Sequence, residues 1–180
     1  MKKLITVIAV AMSALIVNAA AANWDNSGGD LYESGGTGHL ATGYLAYFMN
    51  AADLTQSAAI SAVAAGNVSA VTSVGYASSV GLSDNGWLED MDVGGEFVGG
   101  QDMDAYLVVF NSATAANATY AYISGVETEF VPGSGMNVNF DFDLSGSATA
   151  GNWTAVPEPT SGLLLVVGGA LLALRRRRLA

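Results

Sequence analysis

Apolar and polar positions alternate most regularly at 138–144, where Val138, Phe140, Phe142 and Leu144 are separated by Asn139, Asp141 and Asp143. A period of two marks a strand with one wet face. The runs YLAYFM (44–49) and AYLVVF (105–110) are wholly apolar and read as buried strands, the second a central one. YLAYFMN (44–50) and YLVVFN (106–111) resemble one another, as equivalent strands of two halves would, but coincidence between apolar strands is the preferred reading. Residues 68–80, 120–124 and 126–131 read as further strands, and 152–154 as a short last one. Asp84-Asn85-Gly86-Trp87 is a hairpin signal, because Asn-Gly accepts the positive φ angles of a tight primed turn. Gly133-Ser134-Gly135 after Pro132 is a second turn.

Two stretches depart from this pattern. Residues 23–40 are rich in Gly, Ser and Asp and read as a loop-dominated entry with at most one edge strand. Residues 50–66 read as a helix, with Asp53 as cap, Gln56 three residues on and Gly66 at the position following the last turn. Ile60, Val63 and Ala64 form its apolar face. The expectation is a mainly β fold: one antiparallel sandwich-like domain of about seven strands, with one inserted short helix.

The two ends read differently from the middle. Lys2 and Lys3 precede the apolar run 4–17, and small residues follow at 19–22. That is a secretory signal peptide, with cleavage expected after Ala22. At the other end, Ser161 to Leu174 carries no charge and is followed by Arg175, Arg176, Arg177 and Arg178. As a helix this run is about 21 Å long, short against a hydrocarbon core of about 30 Å. Counting from Pro157 extends it to about 27 Å, workable with bilayer thinning or snorkelling arginines. Basic clusters beside an apolar segment stay cytoplasmic, and they argue against a buried core helix. Gly169 and Ala173, four apart, leave a small-residue face for helix packing. The expected division is a signal peptide at 1–22, an exported domain at 23–155 and a tail at 156–180.

Pro157-Glu158-Pro159, the apolar helix and the arginine cluster, in that order, resemble the PEP-CTERM sorting signal of bacterial exported proteins. The resemblance covers roughly the last 25 residues. It implies transport across the inner membrane by the export translocon and signal peptidase, then recognition by an exosortase and cleavage at or near Pro157, Glu158 and Pro159. Such proteins are associated with exopolysaccharide and the cell surface or extracellular matrix. Nothing in the resemblance extends to residues 23–155.

Charge sharpens the reading of that middle part. All six Lys and Arg residues lie at positions 2, 3 and 175–178, whereas every one of the 16 carboxylates except Glu158 falls within 23–155. The exported domain therefore has no Lys or Arg ion pairs. Nucleic acid is excluded as a partner, because phosphate contacts need cations to replace released counterions. Adhesion to anionic lipid is disfavoured for the same reason. Like charge aids solubility and repels itself in the compact state, an effect that salt screens. The chain has no cysteine, so its stability rests on its core rather than on disulfides.

Catalytic chemistry is narrowed by the same inventory. Thiol nucleophiles, Schiff-base lysines and guanidinium clamps on phosphate are unavailable to the exported domain. His39 is the chain's one imidazole and lies in a Gly-Thr-Gly-His-Leu stretch with no serine elbow around it, so it reads as an ordinary loop histidine. Glu89, Asp90, Asp92, Glu96, Asp102 and Asp104 are interleaved with glycines. They form either a solvated acidic loop or an oxygen-rich calcium site at Asp90, Asp92, Glu96, Asp102 and Asp104. The spacing is not that of an EF-hand: with Asp90 first, Gly94 takes the fifth place and Gln101 the twelfth. Sequons at Asn67, Asn117 and Asn152 occur at chance frequency. No other cofactor is expected. The expected function is that of an exported, noncatalytic surface or matrix protein contacting exopolysaccharide. The alternative is an extracellular glycan hydrolase using two carboxylates. Exposed Trp24, Trp87 or Trp153 beside a groove would favour sugar binding, and a deep cleft with converging carboxylates the hydrolase.

Overall fold

Strands that are apolar without a break are strands covered on both faces, and two such strands form the centre of this protein. The computed structural model describes residues 20–33, 38, 44–78, 89–133 and 136–158. In chain order its elements are β1 (Ala20–Gly29), β2 (Leu45–Asn50), α1 (Gln56–Ala64), α2 (Ser69–Thr72), β3 (Tyr76–Ser78), β4 (Glu89–Phe97), β5 (Gln101–Phe110), β6 (Tyr120–Ile123), β7 (Glu127–Val131), β8 (Val138–Asp143) and β9 (Trp153–Ala155). Short 3-10 turns lie at Ala115–Asn117, Ser145–Ala148 and Ala150–Asn152. The fold is mainly β, with two sheets and few helices.

The larger sheet has six strands in the order β3-β2-β5-β6-β9, with β7 also paired to β5; the smaller has the order β4-β1-β8. β2 and β5 run antiparallel, from Leu45 opposite Phe110 to Asn50 opposite Ala105. Ala46 and Phe48 of β2, with Met103, Ala105, Leu107 and Val109 of β5, point into a core shared with Trp24, Phe140 and Phe142 of the smaller sheet. The alternate residues, Tyr47 and Met49 with Tyr106, Val108 and Phe110, meet Ala59, Val63 and Val71 of the helices. The likeness of the two runs thus has a physical cause. They are paired neighbours in one double-covered layer, and every position in them is apolar for that reason.

The structure corrects several expectations. β1 is a ten-residue strand at the centre of the smaller sheet, not a loop with an edge strand. Its buried positions Ala22, Trp24 and Asn26 alternate with partly exposed ones, a pattern hidden by its Gly, Ser and Asp content. Because it begins at Ala20, it includes three residues of the segment expected to leave with the signal peptide, and Ala22 is fully buried. β1 pairs antiparallel with β4 but parallel with β8, so the sheets are not purely antiparallel. Residues 69–72 are helical rather than extended, because Val71 is drawn under the larger sheet and tertiary burial overrides a weak local preference. Among the described residues the domain thus carries two α-helices where one was expected.

The cap of α1 is Thr55, whose Oγ1 accepts from the Ala58 N–H at 3.3 Å, and not Asp53. Ala59 and Val63 are its buried residues, while Ile60 is 40% exposed. The expected role of Gly66 holds. It has φ +74°, and the bonds from Gly66 N to Val63 O and from Asn67 N to Ala62 O close the helix as a Schellman motif. The expected strands at 126–131, 138–144 and 152–154 correspond to β7, β8 and β9. The hairpin signal at Asp84-Asn85-Gly86-Trp87 and the turn at Ser134-Gly135 lie outside the described residues.

β5 changes partners along one edge: Val108 to Phe110 pair with β6, and Gln101 to Ala105 with β7. Ser124 fills the gap and is 1% exposed. Its Oγ accepts from the Leu107 N–H at 2.9 Å and donates to the Gly125 carbonyl at 2.8 Å, and its own N–H donates to the Leu107 carbonyl at 3.0 Å. Gln56 Nε2 on α1 donates to the Ser124 carbonyl at 2.6 Å. Ser124→Ala strands a buried N–H and is expected to cost about 1–3 kcal/mol in urea unfolding. A change within the scatter of surface substitutions would show that Leu107 N–H has another partner. One polar group is already in that condition: among the described residues the buried Trp24 Nε1 has no acceptor.

Candidate functional site

The acidic segment is built as strands. Asp90, Asp92 and Glu96 are backbone positions of β4 in the smaller sheet, whereas Asp102 and Asp104 open β5 in the larger one. The side chains of Glu89, Asp90, Asp92 and Glu96 are not among those described. Among the described residues, no three His, Asp or Glu side chains come together as a metal-binding group. His39, Pro159 and Arg175, Arg176, Arg177 and Arg178 lie outside the described residues, as does the apolar run 161–174. Among the described residues, no helix is long and apolar enough to cross a membrane.

Asp102 and Asp104 project from the face of β5 that, two residues later, is covered by the helices. Tyr106 is the first residue of that face to be buried. Beyond the helical cover lies an open groove of roughly 820 Å³, bordered by Asn50, Asp53, Tyr76, Phe97, Asp102 and Asp104. Each border has a local cause. Asn50 ends β2 and accepts from the Ala52 N–H through its side chain at 2.9 Å, which turns the chain toward α1. Ala51 N donates to the Asp104 carbonyl at 2.9 Å, tying this turn to β5. Thr128 of β7 donates its hydroxyl to Asp104 Oδ1 at 2.7 Å. Tyr76 meets Phe97 edge to face, with centroids 5.7 Å apart. The groove therefore offers one aromatic wall and a row of solvated hydrogen-bond acceptors, without a cation. Residues 50, 53, 76 and 128 carry no shared sequence signal, because only the β3–β2–β5–β7 pairing brings them together.

Two of the three tryptophans proposed as sugar platforms are core residues: Trp24 is 2% and Trp153 6% exposed. Trp153 donates Nε1–H to the Ser147 carbonyl at 2.7 Å and packs beside Tyr122 and Tyr44. Trp87 lies outside the described residues. On the rim of the smaller sheet, hydrogen bonds from the Ser145 side chain and backbone N–H hold the Asp143 carboxyl below its ordinary range.

The start of the Pro157-Glu158-Pro159 stretch is built onto the domain. β9 pairs with β6, and the next residue, Val156, is 8% exposed and donates its N–H to the Thr119 carbonyl at 2.8 Å. Pro157 and Glu158 follow and are exposed. They border a hollow of roughly 470 Å³ with Gly66, Val68 and residues 115–119. A side chain at Gly66 would come within 3.1 Å of the Pro157 carbonyl, so the glycine that closes α1 also makes room for the departing chain. Compared with protein-family models, curated proteins and solved structures, the chain has no match.

Proposed function

We propose that this is an exported, noncatalytic surface or matrix protein, delivered by a PEP-CTERM tail and associated with exopolysaccharide. In this reading an N-terminal signal helix leads export through the translocon, and a C-terminal transmembrane helix holds the precursor. An exosortase then acts at Pro157, Glu158 and Pro159. The observation that carries the reading is the tail itself: motif, uncharged apolar run and arginine cluster stand in order at the end of the chain. Two features support it. Prolines on both sides of Glu158 disfavour regular helix at the motif, and Pro157 and Glu158 are exposed, as a processing enzyme requires. The groove at Tyr76 presents acceptors and an aromatic ring to a neutral, hydroxyl-rich ligand, and its carboxylates repel anionic ones.

The test is the mass of the protein recovered from the cell surface. It is expected to end near Pro157-Glu158-Pro159. A recovered chain that still ends in Leu179-Ala180 would make this a plain single-pass anchored protein, and the sorting reading would be wrong.

Calcium at Asp90, Asp92, Glu96, Asp102 and Asp104 belongs to the same proposal and has a separate test. The isolated domain is expected to melt at higher temperature as sodium chloride rises, because screening relieves repulsion among its unopposed carboxylates. Millimolar calcium at matched ionic strength is expected to add a further increase. Coincident melting curves in the two salts would leave these carboxylates as ordinary surface.

A further inference from the structure

The carboxylates of the exported domain are not spread evenly along the chain. Residues 54–78, 105–126 and 144–157 contain no Asp, Glu, Lys or Arg. The fold brings parts of all three together on the helix side of the larger sheet. They supply α1 and α2, Tyr106, Val108 and Phe110 of β5 with the 115–117 turn and β6, and Val156 after β9. The 3-10 turn at Ser145–Ala148 instead packs toward β1, with Leu144 N–H donating to the Gly29 carbonyl and Tyr32 N–H to Ser147 Oγ. Helix α1 packs against both β6 and β9. The hollow at Val156 and a second one, lined by Leu45, Tyr47, Ser69, Thr72 and residues 113–116, share Val68, Ala115 and Ala116. Their lining is one continuous face of apolar, hydroxyl and amide side chains, and among those residues the one carboxylate is Glu158, at the chain's exit. Asp53, Asp102 and Asp104 are on the same side of the larger sheet but at the opposite end of β5, around the groove. The smaller sheet covers the opposite side of the molecule. Asn139, Asp141 and Asp143 of β8 point outward there, alternating with buried Val138, Phe140 and Phe142.

The chain leaves the domain at the charge-free face, and it leaves on a short leash. Val156 is anchored by burial and by its bond to Thr119, and the apolar run begins at Ser161. The span from Glu158 to Ser161 is at most about 11 Å when fully extended, less than the radius of gyration of about 14 Å expected for a domain of this size. A domain held that closely must present some face to the lipid. Carboxylates are repelled by an anionic leaflet and penalised near a low dielectric. The face at the exit presents apolar, hydroxyl and amide side chains, which carry no charge to be repelled and a far smaller desolvation cost than a carboxylate.

We propose that the α1–α2 face, centred on Val68, Ala115 and Ala116, is a lipid-facing surface on which the tail-bearing protein rests, with the acidic smaller sheet turned away from the bilayer. This rests on the reading of 161–174 as a membrane segment. It also gives the exported domain a defined orientation while its tail is attached.

Absence of cysteine from the chain makes the test direct. Ala116→Cys and Ser69→Cys label the proposed face, and Asn139→Cys and Glu129→Cys label the acidic side; all four positions are exposed. Each full-length variant is spin-labelled and reconstituted in phosphatidylcholine vesicles doped with phosphatidylglycerol and a nickel-chelating lipid. Flotation of the vesicles reports anchoring independently. The expected result is co-flotation of all variants, with nickel-lipid relaxation several-fold stronger at 116 and 69 than at 139 and 129. Equal relaxation at the four sites would mean the domain tumbles freely on its leash, and stronger relaxation at 139 and 129 would mean it lies the other way up. Either result overturns the proposal while leaving the anchor intact. Protein that fails to float overturns the membrane reading of the tail, and the face assignment falls with it.

Discussion

Phe48→Ala is expected to lose about 3–5 kcal/mol of unfolding free energy, the usual range for a buried Phe truncated to Ala. Phe48 is fully buried on β2, and its ring is the link between the two sheets. It lies 6.0 Å from Phe97 of β4, 5.3 Å from Phe140 and 6.3 Å from Phe142 of β8, each time at an edge-to-face angle. Such pairs contribute about 0.5–1.5 kcal/mol beyond their buried area, so one truncation removes area, three ring contacts and the filling of the space between the sheets. The protein has little to offset the loss. It has no disulfide, and between residues 4 and 174 there is no Lys or Arg to form an ion pair. With a total stability of about 5–15 kcal/mol for a typical domain, the variant should melt roughly 10–25 °C lower. Phe130→Ala is the control, since that ring is 58% exposed, and it should stay within about 0.5 kcal/mol of the parent. If both variants melt together, the two sheets do not share the core described above.

Alkaline pH is expected to unfold the protein through its tyrosines, with Tyr106 contributing most. Tyr106 is fully buried on the helix side of β5 and donates its hydroxyl to the Leu54 carbonyl at 2.6 Å. Burial pushes its pKa up to about 12. A pKa raised on folding means that the folded state holds its proton more tightly. The associated stability is therefore complete below the ordinary tyrosine value near 10 and is lost as pH rises through about 12. That difference corresponds to about 3 kcal/mol at most. Burial also raises Tyr44, Tyr47 and Tyr122, with Glu33 adding to the first and Asp143 to the last, so they act in the same direction. Tyr106→Phe should lose about 1 kcal/mol at neutral pH, with the Leu54 carbonyl left unpaired. Its urea midpoint should then fall less steeply than the parent's between pH of about 10 and 12. Parallel slopes for the two proteins would show that Tyr106 ionises without opposing the fold.

The groove and the charge-free face are assembled from distant parts of the chain, so neither has a local pattern as the strands do. Asp102 and Asp104 stood out in the sequence as part of an acidic run, yet their neighbours in the run, Asp90 and Asp92, are on a strand of the other sheet. Their actual neighbours are Asn50, Asp53, Tyr76 and Thr128, and Asn50, Asp53 and Tyr76 come from 26 to 54 positions away along the chain. Trp24 and Trp153 each follow an Asn, and an aromatic residue in such a polar setting gives no local sign of burial. Packing against Phe142 and Tyr122 places both inside.

By itself the sequence determined which positions could be buried and where charge could lie. Alternation at 138–144 set the faces of β8, unbroken apolar runs marked β2 and β5 as covered on both sides, and Gly66 marked the end of α1. The placement of Lys and Arg at the two termini left a purely acidic domain between two apolar segments. Those are local properties, fixed by the periods of strand and helix and by covalent order. Only the tertiary structure decided that β1 sits between β4 and β8, with Trp24 opposite Asp90 on one side and Phe140 on the other. It also decided that residues 69–72 are helical rather than extended, and that α1, α2, the 115–117 turn and Val156 meet in one charge-free face at the exit of the chain. These outcomes depend on pairing between residues up to 116 positions apart. A local pattern states that a residue needs cover, and only the assembled fold selects what provides it.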